Sequence, residues 1–350
     1  MTEKRFCIVC GKEILSDDPA EVYCATHSDA RKKPNQPGGG SKGKCSIRSV
    51  HVCKDNSELM YSNDFPRQFH NLAITPDGRH IIAGGEDRLL YKWDLKSGEF
   101  LGILGGQPSS VTAIAITPDG SQVITSCSKH LLVRDIASKQ VVSTFESDTG
   151  SVYAIDITPD GRYLIVGGIS GKIEIWDLKS NTLRNTLEGH SYAVYSIATT
   201  PRGRKFVTSG GDGTVRVWDF RSGKCLNILE GHELNKVYAL AITNDGRCAV
   251  SGGLDDTLRV WDIKKGTCLR VIQSTTEKSI ETLAIVPGKH YVVSGGSEDK
   301  LRVWDFDAGE CLDAIESHSH VTTKVAIAPD GHHVVSCSID ETVRVWSLTY

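Results

Sequence analysis

The sequence predicts an all-β protein built from seven similar units that are arranged radially around one axis. Six tryptophans end near-identical phrases such as TVRVW and TLRVW, and an arginine stands where a seventh is expected. The steps between the seven positions are 41, 42, 42, 43, 43 and 42 residues. A fixed period of this length is typical of repeat architectures. The positions are Trp93, Arg134, Trp176, Trp218, Trp261, Trp304 and Trp346.

Each unit contains four short β-rich runs with turn signals between them. In residues 224–262 the runs are CLNIL, KVYALAIT, RCAVSGG and TLRVWD, and NDG forms a hairpin turn. The same turn recurs as PDG in four other units, and its glycine supplies the positive φ that such a turn requires. One four-stranded sheet cannot bury both of its faces alone. Seven sheets stacked face to face around an axis can do so.

These units resemble WD40 repeats. The Trp-Asp pair ends five of them, and a Gly-His element occurs at Gly189-His190 and at Gly231-His232. Seven such repeats imply a seven-bladed β-propeller with four-stranded antiparallel blades over about residues 45–350. The resemblance also implies a rigid surface for partners, with docking favoured on the face that carries the loops between blades.

The resemblance further implies a hydrogen-bonded tetrad of His, Ser or Thr, Asp and Trp inside a blade. We interpret this tetrad as structural, because a buried polar network is tolerated only when it is satisfied. In the fourth and fifth units the serine position is matched to Gly210 and Gly253, which predicts incomplete tetrads there. The full candidate set in the seventh unit is His318, Ser338, Asp340 and Trp346.

The last unit lacks a fourth strand, because the sequence ends at WSLTY just after its third. We expect the missing strand to come from the segment before the first unit, so that the two ends of the chain join. Two segments are candidates. Ser46–Cys53 has β-branched residues and an alternating pattern, whereas Ser57–Ser62 lies at the correct repeat distance. We favour Ser46–Cys53.

Residues 1–30 do not follow the repeat and predict a zinc-binding module. Cys7, Cys10, Cys24 and His27 give the spacing C-x2-C-x13-C-x2-H, which resembles a small zinc ribbon or knuckle. Two close pairs suit a closed, tetrahedral Cys3His site with structural Zn²⁺. The alternatives are a redox Cys-x-x-Cys motif, which would not need the second pair, and four unrelated side chains.

Residues 31–44 are rich in Pro, Gly and Ser and predict a flexible basic linker. No acidic residue occurs between Ala30 and Lys54. A solvated tether is one interpretation of this segment. The alternative is that residues 1–48 contact RNA, for example ribosomal RNA, through the module and its basic arm.

Composition narrows the class of protein. The net charge of −3 argues against a nucleic-acid binder that uses its whole surface. No apolar run is long enough for a membrane helix, and the amino terminus lacks the apolar core of a signal peptide. We therefore expect a cytoplasmic protein with a monomeric propeller. Cys225, Cys268 and Cys311 occupy one repeat position and are predicted to be small buried residues in a reducing compartment.

The second residue of each inner strand is predicted to lie around one end of the central channel. Three consecutive tyrosines in this ring are a candidate binding surface for a protein or peptide, because tyrosine is enriched in interface hot spots. The alternative is that each tyrosine packs between blades with its hydroxyl satisfied. The ring is His70, Thr112, Tyr153, Tyr195, Tyr238, Glu281 and Thr323.

The sequence therefore predicts a non-enzymatic scaffold for protein–protein interaction. It contains no Gly-rich phosphate loop, no GxSxG and no HExxH motif. An adaptor for RNA or ribosomes, acting through the amino-terminal segment, is the first alternative. An enzyme with its site in the channel is the second, and within the ring it would depend on His70 and Glu281.

Overall fold

Seven four-stranded antiparallel sheets form the blades of a closed ring in the computed structural model. The structure describes residues 45–53, 67–233, 236–274 and 276–350. The innermost strand of each blade contacts the innermost strands of both neighbouring blades, and the seventh blade contacts the first. This confirms the all-β fold and the seven-bladed propeller for the residues that the structure describes.

The strands follow one another from the axis outwards in every blade except the seventh. Blades 1 to 3 are β2 (Phe69–Ile74), β3 (His80–Gly85), β4 (Leu89–Asp94), β5 (Phe100–Gly106); β6 (Ala113–Ile116), β7 (Gln122–Cys127), β8 (His130–Asp135), β9 (Val141–Glu146); and β10 (Val152–Ile157), β11 (Tyr163–Gly168), β12 (Ile173–Asp177), β13 (Thr182–Leu187). Blades 4 and 5 are β14 (Val194–Thr199), β15 (Lys205–Gly210), β16 (Val215–Asp219), β17 (Cys225–Leu229); and β18 (Val237–Ile242), β19 (Cys248–Gly253), β20 (Thr257–Asp262), β21 (Thr267–Gln273). Blades 6 and 7 are β22 (Ile280–Ile285), β23 (Tyr291–Gly296), β24 (Lys300–Asp305), β25 (Glu310–Glu316); and β26 (Thr322–Ile327), β27 (His333–Ser338), β28 (Val343–Thr349), β1 (Ser46–Cys53).

The seventh blade is completed by a strand from the other end of the sequence, as predicted. β1 pairs antiparallel with β28, from Ser46 opposite Thr349 to Cys53 opposite Val343. The amide of Ile47 also donates to Asp313 Oδ2 of the sixth blade at 2.9 Å. This confirms Ser46–Cys53 as the closing strand. The alternative segment, Ser57–Ser62, lies outside the described residues.

The core lies between neighbouring blades. One cluster packs Trp346 and Val334 of blade 7 against Val293 and Leu301 of blade 6. Equivalent clusters join the other blades, and the exposed fraction of the Trp218, Trp261 and Trp346 side chains is 1%. The regular spacing of the tryptophans therefore places a large side chain at the interfaces between most neighbouring blades, where burial stabilises a repeat protein most; Arg134 takes this position in blade 2, and Trp176 of blade 3 is only partly buried.

The prediction that Cys225, Cys268 and Cys311 are buried is wrong. All three are free and exposed on the outermost strands of blades 4, 5 and 6. Each pairs with the tryptophan of its blade, as Cys225 does with Trp218, but on an edge strand that no further strand covers. The position is outside the core because the fourth strand has a neighbour on one side only.

Candidate partner-binding site

The tetrad of blade 7 is complete, but its serine is Ser336. His318 Nδ1 lies 3.0 Å from Asp340 Oδ2, and His318 Nε2 lies 2.7 Å from Ser336 Oγ. The indole nitrogen of Trp346 donates to the same Ser336 Oγ at 2.9 Å. The prediction of Ser338 is therefore wrong by two residues. Ser338 lies on the same face at the end of the strand, where its hydroxyl donates to the carbonyl of His320 at 3.3 Å.

The same offset of two residues corrects the prediction for blades 4 and 5, whose tetrads are complete. In blade 4, Thr208 Oγ1 bonds His190 Nε2 at 2.7 Å and accepts from the Trp218 indole at 2.9 Å. In blade 5, Ser251 Oγ occupies the equivalent place. It lies 2.7 Å from His232 Nε2 and accepts from the Trp261 indole at 2.8 Å. The glycines at 210 and 253 lie two residues further along, beside the Asp turn. The tetrad members are His190, Thr208, Asp212 and Trp218 in blade 4, and His232, Ser251, Asp255 and Trp261 in blade 5.

The tetrads hold their aspartates in the charged form. Burial raises the pKa of Asp255, but hydrogen bonds and charge from His232, with further bonds from Thr257 and the Glu233 amide, more than offset it. The pKa of Asp255 is lowered to about 2 as a result. The pKa values of Asp212 and Asp340 are lowered for the same reasons. Each network is satisfied internally, which supports a structural role for it.

Blades 2 and 3 replace the tetrad with other buried polar networks. Arg134, which stands in the place of a tryptophan, donates to the carbonyl of Lys139 at 2.7 Å and to that of Gly106 at 3.0 Å. In blade 3 the Trp176 indole donates to Glu174 at 2.9 Å, because no hydroxyl stands at the usual strand position. Glu174 also accepts the amide of Asp148 at 2.9 Å.

All seven residues of the predicted ring line one cavity of about 260 Å³ at the centre of the propeller. The ring geometry predicted from the repeat is therefore present. Two of its members serve blade packing. Thr112 donates to the carbonyl of Val152 in the next blade at 2.7 Å, and Thr323 donates to the carbonyl of Phe69 at 2.8 Å. These threonine hydroxyls link neighbouring blades.

The three tyrosines lie side by side in this ring and are half-buried. The ring centroids of Tyr153 and Tyr195 are 6.0 Å apart, and those of Tyr195 and Tyr238 are 5.1 Å apart. The hydroxyls of Tyr153 and Tyr195 make no hydrogen bond to any residue that the structure describes. Burial raises the pKa of Tyr238. Aromatic pairs at these distances form a continuous surface that leaves polar tips for a ligand.

The polar part of the ring is held by local bonds. His70 Nε2 lies 3.2 Å from Glu86 Oε2, which also accepts from Ser110 Oγ at 2.9 Å. Glu281 accepts from Ser279 Oγ at 2.8 Å, and burial raises the pKa of Glu281. His70 and Glu281 thus each have a partner of their own. Within the described part of the chain there is no group of three or more His, Cys, Asp or Glu that could hold a metal ion.

Two charged residues of the inner strands were missed in the sequence. Lys324 lines the cavity at the third position of its strand, and Asp156 lies at the fifth position, where the other six blades have alanine. Asp156 accepts the amide of Thr199 at 2.7 Å. Burial raises the pKa of Asp156 and lowers that of Lys324. Comparing each inner-strand position across the seven units would have found both residues.

The closed ring of four-stranded blades and the His–Ser/Thr–Asp–Trp networks define a repeat β-propeller. The WD domain, G-beta repeat model matches residues 69–94, 98–135, 139–177, 181–219, 223–262, 266–305 and 309–347. These matches cover most of the sequence, and the chain belongs to the WD40 repeat family.

Several curated proteins are similar to parts of this chain. Protein groucho from Drosophila melanogaster is 28% identical over 171 residues, which are 47% of this chain and 23% of that protein. Periodic tryptophan protein 2 from Arabidopsis thaliana is 31% identical over 121 residues, 33% of this chain and 13% of that protein. An uncharacterized WD repeat-containing protein from Schizosaccharomyces pombe is 29% identical over 93 residues, 26% and 23% of the two chains. The matched part thus spans less than a quarter of each relative.

Proposed function

We propose that this protein is a non-enzymatic scaffold that binds a short segment of a partner protein at the channel mouth. The observation that carries the proposal is the row of Tyr153, Tyr195 and Tyr238 on three adjacent inner strands. Tyrosine supplies a large, rigid contact area with a polar tip, and it is enriched in interface hot spots. Membership of the WD40 family supports the same role.

The size of the cavity supports a peptide or a loop as the bound element. About 260 Å³ admits a few side chains, whereas a folded domain would rest on the rim alone. The half-buried carboxyl of Glu281 and the imidazole of His70, which is bonded to Glu86, lie on the same ring and would give polar contacts beside the aromatic surface. A hydrophobic anchor with a polar rim is the usual layout of a specific interface.

The test compares capture of cellular partners by the wild type and by a variant with all three tyrosines changed to alanine. We expect the variant to lose the main partner and to keep its melting temperature, because loss of one hot-spot side chain costs about 2 kcal/mol or more of binding free energy. A triple change to phenylalanine separates the rings from the hydroxyls. Tyr192→Ala is the matched control, since this exposed tyrosine lies outside the ring.

Three outcomes would contradict the assignment. A large fall in the melting temperature of the triple alanine variant would assign the tyrosines to blade packing. Unchanged capture by a variant with an intact melting curve would place the partner elsewhere on the propeller. Turnover of a substrate that required His70 or Glu281 would favour the alternative of an enzyme with its site in the channel.

We also propose that Cys7, Cys10, Cys24 and His27 hold one structural Zn²⁺ ion. These residues lie outside the described part of the chain, and the proposal stands on the donor set and its spacing. Three thiolates and an imidazole are a donor set that binds zinc tightly and leaves no position for a substrate. Elemental analysis of the purified protein tests this, and a metal-free wild type would refute it.

RNA binding through residues 1–48 is a second candidate, favoured by the run from Ala30 to Lys54 that contains no acidic residue. RNA recovery that falls with salt and disappears on deletion of residues 1–44 would support it. We further propose a cytoplasmic location and a monomeric propeller, which microscopy of a tagged protein and sedimentation would test. No helix among the described residues is long and apolar enough to cross a membrane.

A further inference from the structure

The turns at the end of the propeller opposite the tyrosine ring differ strongly in charge from blade to blade. In blades 4 and 5 the hairpins between first and second strands and between third and fourth strands carry eight Lys or Arg and three Asp. The equivalent turns of the other five blades carry six Lys or Arg and eleven Asp or Glu. The turns of blades 4 and 5 are residues 200–205, 219–224, 243–248 and 262–267. Those of the other blades are residues 75–80, 94–99, 117–122, 135–140, 158–163, 177–182, 286–291, 305–310 and 328–333.

Arg202 reverses the charge of its turn at a position where local structure favours aspartate. In the equivalent turn of blade 1, Asp77 accepts from the Thr75 hydroxyl at 2.6 Å and from the Arg79 amide at 3.0 Å. Asp245 makes the same two bonds in blade 5. Arginine has no acceptor to replace them. In blade 4 the Thr200 hydroxyl instead donates to the carbonyl of Lys205 at 2.8 Å. Arg202 therefore does not serve the turn.

Five of these eight cations line a cleft of about 840 Å³ between blades 4 and 5, namely Arg202, Arg204, Lys205, Arg247 and Lys264. Its carboxylates are already bonded. Asp245 lies 3.6 Å from Arg247 Nε, and Asp262 accepts the amides of Lys264 and Lys265 at 2.9 and 2.8 Å. The side chains of Arg202 and Arg204 form no ion pair with a carboxylate among the described residues, whereas the charge of Lys264 helps to lower the pKa of Asp262. The exposed side chain of Pro201 adds apolar surface to the lining of the cleft.

We propose that this cleft is a second binding surface, for an extended acidic segment of a protein partner. Guanidinium groups match carboxylates in a two-bond fork, and the unpaired cations at the cleft supply the complementary charge. The apolar surface of Pro201 suits the aliphatic part of a bound peptide. No aromatic side chain lines the cleft, so it lacks the stacking surface that single-stranded nucleic acids use. The cleft is separate from the tyrosine ring and does not depend on the proposed function.

The test uses Arg202→Asp, which restores the residue that the equivalent turns of blades 1, 2, 3, 5 and 7 carry and should therefore fold at least as well. The matched control is Lys96→Asp, the same charge change in a turn of blade 1. The probe is a fluorescent peptide of about ten residues rich in Asp and Glu, titrated at about 50 mM and 300 mM salt. A single-stranded and a double-stranded RNA of similar charge are titrated in parallel.

We expect saturable binding of the acidic peptide that Arg202→Asp weakens about ten-fold at low salt and Lys96→Asp changes less than two-fold. The triple tyrosine variant should bind the peptide as the wild type does, which separates this surface from the channel mouth. Absence of saturable peptide binding would overturn the proposal. Equal weakening by the two aspartate variants would show only non-specific attraction. Tighter RNA binding that Arg202→Asp abolishes would assign the cleft to nucleic acid instead.

Discussion

Replacing Ser336 with alanine should destabilise the propeller much more than replacing Ser338, although the two serines are equally buried. The Ser336 hydroxyl joins His318 Nε2 at 2.7 Å and the Trp346 indole nitrogen at 2.9 Å. Its loss leaves two buried polar groups without a partner, each costing about 1–3 kcal/mol. We therefore expect the free energy of unfolding to fall by about 3 kcal/mol in total. Ser338→Ala removes a 3.3 Å bond to a carbonyl and a 3.0 Å bond from the Asp340 amide, which should cost about 1 kcal/mol.

Thermal unfolding followed by circular dichroism measures this difference. For a propeller of this size we expect the melting temperature to fall by about 5 °C in Ser336→Ala and by about 1–2 °C in Ser338→Ala. Ser336→Thr is the matched control, because Thr208 fills the equivalent place in blade 4 and makes both bonds. The tetrad assignment would be refuted if the melting temperature of Ser338→Ala were equal to or lower than that of Ser336→Ala. Equal destabilisation by threonine and alanine at position 336 would show that packing, and not the hydroxyl, matters there.

Three further predictions concern the ends of the chain and its pH dependence. Deleting residues 1–44 should leave the melting temperature nearly unchanged, whereas deleting residues 1–53 removes β1, exposes the edge of β28 and should lower the melting temperature and cause aggregation in light scattering. Equal behaviour of the two truncations would contradict the closure by β1. Elemental analysis should find about one zinc per chain, and Cys24→Ser should lose it; unchanged metal in that variant would exclude Cys24 as a ligand. The pKa of Asp255 falls from 3.8 to about 2 on folding, so its stabilising contribution is complete above pH 3.8 and is lost as the pH falls towards 2. Asp255→Asn should therefore flatten the fall in melting temperature between pH 5 and pH 2, and an unchanged slope would contradict the pKa assignment.

The sequence predicted the features that depend on the repeat period, and it failed where a position had to be placed within a strand or a blade. The period gave seven blades, the channel ring and β1, since each follows from counting equivalent positions. The prediction of Ser338 is wrong because residues two apart share one face of a strand, so that the pattern alone does not distinguish Ser338 from Ser336. Cys225 was misplaced because repetition alone does not say whether an apolar position faces a neighbouring blade or solvent. Lys324 and Asp156 were missed because a repeat pattern describes what the blades share.

The regular frame of blades 4 and 5 is compatible with the unusual residue Arg202 in a turn of blade 4. Both blades have complete tetrads that fix the indole, the imidazole and the Asp turn beside the channel mouth. This buried network and the packing between blades are independent of the hairpin that contains Arg202, which lies at the other end of the strands. Loss of the aspartate bonds in that hairpin therefore costs local stability without disturbing the blade frame. A rigid frame that tolerates such changes is the condition under which binding residues can be placed on exposed turns, and the cleft between blades 4 and 5 lies on such a frame.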